Sequence, residues 1–372
     1  MQKITPCIAK SKGSRLYDSE SNSFFLDFIS MYSSLPLGYN HSIFDGEFEK
    51  EANYISKIKS SINLYDYEEF FSFLTEFKSI SINPFIHTAC TGSLAVEAAI
   101  KSAFWYKKSS EKEVVCIKKS FHGINSWGFT TDIDNPTNRL RLQFSPRLKW
   151  NFVEPDQAIE YIKTNKDHIA AVLIEPIQCT SGDIYLSWNL IKEINKLCIV
   201  EDLCFIIDEV QTGFGVTGNY WLSEMLDLKP DIIIFGKKTQ ISGIAANKKF
   251  SEAITSADRV LKATFDGDLI DAVRSKYIIK AIKENKLLDN IKLISNLLKK
   301  KLNDKFLDYR SCGGLVAFDF ISKLERDLFC ENLRKNKVLV NPTADKTVRV
   351  RPNLATTLEE AEEFCNIVVN CV

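Results

Sequence analysis

The chain has 372 residues, 45% of them hydrophobic and 26% charged, which is typical of a globular protein with one large and one smaller domain. Lys and Arg together number 48, as do Asp and Glu, so the formal net charge is zero. This balance gives no support for nucleic acid or an anionic membrane surface as the main partner.

The N-terminal residues and the cysteines favour a cytoplasmic protein. Residues 1–16 lack the apolar core of a signal peptide, and no run reaches the roughly 18 apolar residues of a spanning helix. The ten cysteines are scattered and form no CxxC pair, which favours reduced thiols over a disulfide framework. The four histidines show no ligand spacing, so we predict no metal site.

The first 80 residues are predicted to form a hairpin, a loop and helices. Residues 15–28 have the pattern of a β-hairpin with its turn at residues 18–23. Pro36 and Gly38 indicate a loop, and residues 47–77 have a helical pattern rich in aromatic side chains. We assign residues 1–43 to an N-terminal arm that joins the smaller domain.

Small residues precede a clear amphipathic helix, which we predict from Leu94 to Tyr106. The Thr91-Gly92-Ser93 sequence leaves amide N–H groups free at the positive end of the helix dipole. Such a terminus suits a phosphate group. The plain alternative is an ordinary Ser or Thr helix cap.

Two further strands are predicted to end in polar residues. Residues 114–117 lead into Phe121 and His122, which suit packing on a flat ring, although a lone Phe is more often part of a core. Residues 169–174 form a buried strand that ends at Glu175. We predict that residues 128–155 are irregular and that residues 188–200 are helical.

Two apolar runs followed by charged residues dominate the middle of the chain. Residues 203–207 end in Asp208, and residues 232–235 are followed by Lys237 and Lys238. Runs of this kind are typical of parallel strands buried on both faces. Open α/β sheets bind ligands at the carboxyl ends of their strands. An acid and an amine at one edge suit pyridoxal phosphate (PLP), because a lysine holds its aldehyde as a Schiff base and an acid pairs with its ring nitrogen.

The last third of the chain is predicted to form a separate α+β domain. A loop at residues 260–268 precedes two long helices within residues 269–306. Strands at 313–320, 337–341 and 346–351 alternate with helices at 324–335 and 357–369. We therefore predict an α/β large domain with a mostly parallel sheet over residues 44–260, and a smaller α+β domain over residues 261–372.

Three motifs resemble the class III PLP-dependent aminotransferases, which have the aspartate aminotransferase fold (PLP fold type I). They are EPIQ at 175–178, DEVQTGFGVTG at 208–218 and PDIIIFGKKTQISG at 230–243. The resemblance covers the chain from about Arg15 onward. Within the family, GKKTQ at 236–240, SLAVE at 93–97 and FHG at 121–123 are most similar to the lysine 6-aminotransferases.

The resemblance implies two catalytic residues. Lys238 would form the Schiff base, because the lysine of the family lies five residues before a glycine, here Gly243. Lys237 would then point away. Asp208 would pair with the pyridinium nitrogen. The reaction implied is transfer of an amino group from a primary amine, often a terminal one, to an oxo acid such as 2-oxoglutarate.

The resemblance also implies binding residues. Thr264 would reach the phosphate of the neighbouring subunit, because the active sites of the family lie across a homodimer interface. Arg349 would bind a substrate carboxylate through a bidentate fork. The other implied cofactor-binding residues are Gly92, Ser93, Phe121, His122, Glu175, Val210 and Gln211, with Phe121 and Val210 on the two ring faces.

Three positions depart from the family pattern. Thr180 stands where many members carry a glutamate that covers the substrate-binding arginine, and Ile124 stands where lysine 6-aminotransferases carry an arginine. Both positions would line the substrate site, and both favour a substrate other than lysine. Asp266 replaces a glycine and is expected near the phosphate. An aminomutase or decarboxylase of the same fold, or a non-catalytic family member, remains an alternative.

Overall fold

The structure is a computed structural model that describes residues 4–109, 112–124, 149–256 and 260–371. Its strands are β1 (Arg15–Asp18), β2 (Ser23–Asp27), β3 (Phe85–Ala89), β4 (Glu113–Ile117), β5 (Lys149–Val153), β6 (Ile169–Ile174), β7 (Ile177–Gln178), β8 (Ile184–Tyr185), β9 (Cys204–Asp208), β10 (Ile232–Phe235), β11 (Ser242–Ala246), β12 (Leu307–Cys312), β13 (Leu315–Asp319), β14 (Val338–Leu339), β15 (Asn341–Thr343) and β16 (Thr347–Val350). Its right-handed α-helices are α1 (Glu47–Ile55), α2 (Glu68–Lys78), α3 (Gly92–Lys107), α4 (Ala158–Asn165), α5 (Trp188–Val200), α6 (Leu222–Met225), α7 (Glu252–Thr255), α8 (Leu269–Glu284), α9 (Leu287–Leu302), α10 (Lys323–Lys335) and α11 (Leu358–Asn370).

The chain divides into two compact units. The sheet unit comprises Ala52–Thr212 and Trp221–Lys276. The terminal unit contains both chain ends and comprises Met1–Glu51, Gly213–Tyr220 and Tyr277–Val372. No helix in the described part of the chain is long and apolar enough to cross a membrane.

The unit boundaries differ from the predicted domain boundaries in three places. Residues 44–51, predicted to begin the large domain, belong to the terminal unit. Residues 261–276 belong to the sheet unit, and the boundary falls inside α8, where a continuous helical pattern gives no sign of it. Gly213–Tyr220 belongs to the terminal unit. Within that unit, the α-carbon of Gly215 closely approaches Leu288 and Leu354, which explains why this short segment is grouped there. The two-domain assignment itself stays a prediction.

The sheet unit is built on a seven-stranded sheet with the order β3-β11-β10-β9-β6-β4-β5. The five strands from β10 to β5 are parallel, and β11 is antiparallel to both of its neighbours. Every residue of β6, β9 and β10 is buried, because helices cover both faces. This arrangement confirms the predicted α/β class with a mostly parallel sheet.

Two predictions about secondary structure were wrong. Residues 149–153, predicted to be irregular, form the edge strand β5, because the alternating side chains of Trp150 and Phe152 pack against the core below the sheet. Residues 128–148 of the same prediction lie outside the described residues. Residues 47–77, predicted to be helical in pattern, form helices α1 and α2, and the segment 56–67 between them is not helical.

The terminal unit joins the two ends of the chain. Strand β14 pairs in parallel with β2, and the rings of Phe28 and Phe364 stack with centroids 4.0 Å apart. Glu360 accepts hydrogen bonds from the backbone and hydroxyl of Ser14 at 3.0 and 2.8 Å. The unit also contains the antiparallel sheet β12-β13-β16-β15, which carries Arg349 on β16. Residues near both chain ends therefore share one core.

The partly buried histidine on β3 generates a prediction about pH. Burial, followed by the charges of Lys101 and Lys262, lowers the pKa of His87 to about 4. Because the unfolded chain takes up this proton more readily, stability is lost as the pH falls from about 6.5 toward 4. When the pH is lowered from 7 to 5, the free energy of unfolding should fall in both proteins. We expect this fall to be about 1–2 kcal/mol smaller in His87→Gln than in wild type, as measured by urea unfolding at the two pH values.

The matched control for this measurement is His168→Gln, which changes an exposed histidine. It should leave the difference in unfolding free energy between the two pH values unchanged. Identical pH dependence in His87→Gln and wild type would contradict the prediction.

Candidate active site

A cavity of about 210 Å³ lies in the sheet unit, among residues that follow the carboxyl ends of the parallel strands and the start of α3. Parallel strands bring their carboxyl ends to one edge, which is why residues distant in the sequence meet there. Its lining residues are Thr91, Gly92, Ser93, Val96, Phe121, His122, Gly123, Glu175, Thr180, Asp208, Val210, Gln211 and Lys237.

Asp208 is a nearly buried carboxylate at the end of β9, with 6% of its surface exposed. Its Oδ2 atom lies 2.9 Å from Nδ1 of His122. Its Oδ1 atom accepts a hydrogen bond from the backbone N–H of Val210 at 3.1 Å. Because both oxygens have partners, the carboxylate is held in one orientation at the cavity wall.

Two buried polar atoms beside the cavity have no hydrogen-bond partner among the described residues. They are Nε2 of His122 and Oε1 of Gln211. Buried polar atoms in folded proteins are nearly always paired, so unpaired ones at a cavity indicate a polar ligand. A flat, polar ring compound with its own donors and acceptors fits this requirement.

Glu175 follows β6 and links two turns at the cavity. Its carboxylate accepts hydrogen bonds from the backbone N–H groups of Phe121 at 2.8 Å and Cys179 at 3.2 Å. Burial raises the pKa of Glu175 well above its usual value, and the nearby charge of Asp208 adds to the effect. Glu175 thus fixes the backbone position of Phe121, which lies at the cavity wall.

The N-terminus of α3 opens onto the cavity. The side chain of Thr91 caps the helix by accepting a hydrogen bond from the N–H of Leu94 at 3.3 Å. Ser93 accepts a hydrogen bond through Oγ from the N–H of Ile124 at 3.1 Å. The α-carbon of Gly92 faces Val210, where an added Cβ would be in ordinary contact at 3.5 Å. The free N–H groups and helix dipole make this corner suitable for an anion.

Two consecutive lysines follow β10. Lys238 is only 2% exposed, and its Nζ donates a hydrogen bond to the carbonyl oxygen of Gln211 at 2.7 Å. Lys237, which we expected to point away, lines the cavity instead. Its left-handed backbone, with φ of 54°, belongs to a tight turn that keeps both lysines near the edge of the sheet.

The remaining predicted residues lie in different places. Thr180 lines the cavity, whereas Ile124 is half exposed. Thr264 is exposed, and Asp266 borders a separate cavity of the sheet unit. Arg349 belongs to the terminal unit. The functional roles of all these residues stay predictions.

Sequence reasoning did not predict four of the lining residues. They are Thr91, Val96, Gly123 and Lys237. The first three were within reach of sequence reasoning, because Thr91 is a helix cap, Val96 lies one turn beyond Gly92, and Gly123 completes the FHG motif. No local signal shows which of two adjacent lysines faces a cavity.

Comparisons with known proteins agree with this geometry. A family profile described as aminotransferase class-III matches residues 1–372. An L-lysine-epsilon aminotransferase of Mycobacterium bovis is 28% identical over 404 residues, which cover 95% of this chain and 88% of that protein. A 4-aminobutyrate aminotransferase of Dictyostelium discoideum is 26% identical over 418 residues, which cover 96% of this chain and 83% of that protein.

A solved structure is similar over the whole chain. It is the lysine aminotransferase from Mycobacterium tuberculosis in the internal aldimine form, with a TM-score of 0.91 and 26% identity. The alignment covers 100% of this chain and 95% of that one. A profile match over the full length, a shared fold, and a cavity lined by the expected acid and by Lys237, with the buried Lys238 hydrogen-bonded to the lining residue Gln211, all lead to one conclusion. This chain belongs to the class III aminotransferases, which are PLP-dependent enzymes that move an amino group from an amine donor to an oxo-acid acceptor.

Proposed function

We propose that this enzyme takes the amino group from a terminal amine, remote from any carboxylate of the donor, and transfers it to an oxo acid such as 2-oxoglutarate. The names of the relatives support a remote amine, since they specify the epsilon amine of lysine and 4-aminobutyrate. The observation that carries the proposal is the buried, doubly held carboxylate of Asp208 in a cavity that Lys237 lines, with Lys238 hydrogen-bonded to the backbone of the lining residue Gln211.

Asp208 is the residue proposed to face the ring nitrogen of the cofactor. Bound PLP supplies a protonated pyridine ring that withdraws electrons from the reacting carbon of the substrate. A carboxylate about 4 Å from that charge contributes about 4 kcal/mol at an effective dielectric constant near 20. The hydrogen bonds from Val210 and with His122 keep the carboxylate oriented for this task.

Lys238 is proposed to hold the aldehyde of the cofactor in the resting enzyme. Its amine is almost completely buried, so water does not compete for it. Once a substrate amine takes its place, Nζ of Lys238 serves as the base that accepts the proton leaving the substrate carbon. The hydrogen bond to the carbonyl of Gln211 keeps the amine at the cavity edge. Gln211, whose buried Oε1 has no partner among the described residues, would bind the ring hydroxyl of the cofactor.

The N-terminus of α3 is proposed to hold the phosphate, through Gly92 and Ser93. Gly123 supports this corner from the other side. It has a left-handed φ of 106°, and a Cβ at this position would overlap the hydroxyl of Ser93. Phe121 and Val210 then lie at positions suited to the two faces of the ring, with the backbone of Phe121 fixed by Glu175.

The residues proposed to contact the substrate favour a less polar substrate end. Thr180 at the cavity wall carries no charge, and Ile124 is a half-exposed apolar side chain. A donor whose far end is uncharged suits these two positions better than lysine does. Arg349 is the proposed partner of a carboxylate on the substrate.

We further propose a homodimer in the cytoplasm, in which Thr264 reaches the phosphate of the neighbouring subunit. The exposed position of Thr264 supports contact with another chain. All ten cysteines are free thiols, which supports a reducing compartment.

Asp208→Asn tests the proposed reaction. In the wild-type enzyme, amino transfer from terminal amines should require added 2-oxoglutarate. Asp208→Asn should lower the rate of this transfer at least about a hundredfold, which corresponds to a rise in activation free energy of about 2.7 kcal/mol, because each 1.36 kcal/mol changes the rate tenfold. Asp202→Asn, at the opposite end of β9, is the matched control. A rate within about twofold of wild type would overturn the role of Asp208. Turnover without any oxo acid would instead identify an aminomutase or decarboxylase.

Borohydride reduction in the presence of PLP tests the lysine assignment. Peptide mass mapping should find a pyridoxyl group on Lys238, because this buried amine is hydrogen-bonded to the backbone of the cavity-lining residue Gln211. Lys238→Ala should abolish the adduct and turnover, whereas the neighbouring Lys237→Ala should retain the adduct. An adduct on Lys237 in the wild-type protein would move the assignment by one residue.

Gly123→Ala tests the phosphate corner. The added methyl group should displace Ser93 and weaken PLP binding by about tenfold, equivalent to 1.4 kcal/mol, in an absorbance titration of the apoenzyme. Gly46→Ala is the matched control, because Gly46 also has a left-handed φ but nothing lies within 4 Å of an added Cβ. Equal effects of the two variants on PLP binding would contradict the prediction.

A further inference from the structure

The loop at residues 263–267 contains the acid that departs from the family pattern. Asp266 is only 5% exposed, whereas its neighbours Thr264 and Phe265 are exposed, Phe265 at 40%. The carboxylate therefore points into the sheet unit while the two preceding side chains point outward. Asp266 does not line the cavity proposed for PLP, and it borders a separate one of about 100 Å³.

The carboxylate of Asp266 is held by hydrogen bonds from two segments of the sheet unit. Its Oδ1 atom accepts from the backbone N–H of Ala263 at 2.7 Å, which closes the loop on itself. Its Oδ2 atom accepts from Nδ2 of Asn63 at 2.5 Å. The same Nδ2 also donates to the carbonyl oxygen of Ala263. One amide group of Asn63 thus holds both ends of the loop.

Further contacts connect the loop to the cofactor cavity. The Sγ atom of Cys90, next to the cap of α3, donates to the carbonyl oxygen of Phe265 at 3.0 Å. The α-carbon of Gly267 packs against Ile241, which lies three residues beyond Lys238. Nζ of Lys59 lies 4.6 Å from the centroid of the Phe265 ring. Two of these contacts link the loop to residues close in sequence to the proposed site, since Cys90 precedes the lining residue Thr91 and Ile241 follows Lys238.

We propose that Asn63 and Asp266 form a latch that holds the 263–267 loop in the shape in which Thr264 contacts the phosphate of the neighbouring subunit's cofactor. The proposal rests on the homodimer and the role of Thr264 proposed above. Asn63 and Asp266 act as positioning residues, since neither contacts the proposed cofactor cavity in its own subunit. A loop that is already ordered loses less conformational entropy when it binds, so the latch tightens retention of PLP.

The latch and simple charge repulsion predict opposite changes in PLP affinity when the Asp266 carboxylate is removed. If Asp266 faced the phosphate, its removal would relieve like-charge repulsion and tighten PLP binding. If Asp266 holds the loop, its removal loosens the loop and weakens PLP binding. The sign of the change in the dissociation constant therefore distinguishes the two roles.

The experiment uses full-length Asp266→Ala, Asn63→Ala, their double variant and Thr264→Ala. Hydrogen–deuterium exchange of the peptide spanning residues 260–268 reports on loop order independently of activity. Absorbance titration of each apoenzyme with PLP gives the dissociation constant. Asp66→Ala, which changes an exposed acid in the same segment as Asn63, is the matched control.

We expect faster exchange of this peptide in both latch variants and not in Asp66→Ala. PLP binding should weaken about two- to tenfold in each, as the net loss of a hydrogen bond gives. The double variant should lose less PLP affinity than the two single variants summed, because both changes remove the Asn63–Asp266 hydrogen bond, while each also removes one separate bond to Ala263.

Tighter PLP binding in Asp266→Ala, unchanged exchange, or additive losses in the double variant would overturn the latch. If Thr264→Ala weakens PLP binding while both latch variants bind normally, the latch alone is wrong. If Thr264→Ala binds PLP as tightly as wild type, the proposed role of Thr264 is wrong, and the latch proposal is overturned with it.

Discussion

The burial of a carboxylate at the end of β9 determines much of the arrangement at the carboxyl edge of the sheet. An ionised group removed from water is strongly destabilising unless it is paired and hydrogen-bonded. Asp208 meets this requirement through His122 and the backbone of Val210. These partners come from the turn after β4 and from the residues after β9, so satisfying one carboxylate aligns two separate segments of the chain. The same alignment leaves Nε2 of His122 and Oε1 of Gln211 available for a ligand.

Glu175 and Glu209 extend this arrangement. Glu175 accepts hydrogen bonds from the backbone N–H groups of Phe121 and Cys179. Glu209 accepts hydrogen bonds from the backbone N–H groups of Leu222 at 2.6 Å and Ser223 at 2.9 Å. Each acid thereby fixes a turn that would otherwise leave buried N–H groups unpaired. Among the residues proposed to contact PLP, Phe121 thus has its backbone held by Glu175, and Val210 and Gln211 directly follow the buried Glu209. Such buried contacts contribute the rigidity that catalysis requires.

The departures from the family pattern differ in what they affect. Asp266 does not line the cavity that contains the proposed phosphate corner of its own subunit, and its carboxylate is hydrogen-bonded to Ala263 and Asn63. Thr180 and Ile124 are instead proposed to affect the choice of substrate. The proposed chemistry is therefore that of the family, and the proposed difference from the lysine 6-aminotransferases concerns the amino donor.

The sequence by itself determined the α/β class, the buried parallel strands and the edge that bears Asp208 and the two lysines, because apolar periodicity and strand ends are local properties. It also identified most of the cavity-lining residues, since motifs such as FHG and DEVQ keep them adjacent in the chain. Only the tertiary structure decided that Lys237 lines the cavity, that a unit boundary falls inside α8, and that Asp266 points inward. These outcomes depend on contacts between distant residues, such as Asn63 and Asp266, which are 203 positions apart and carry no local signal of their pairing.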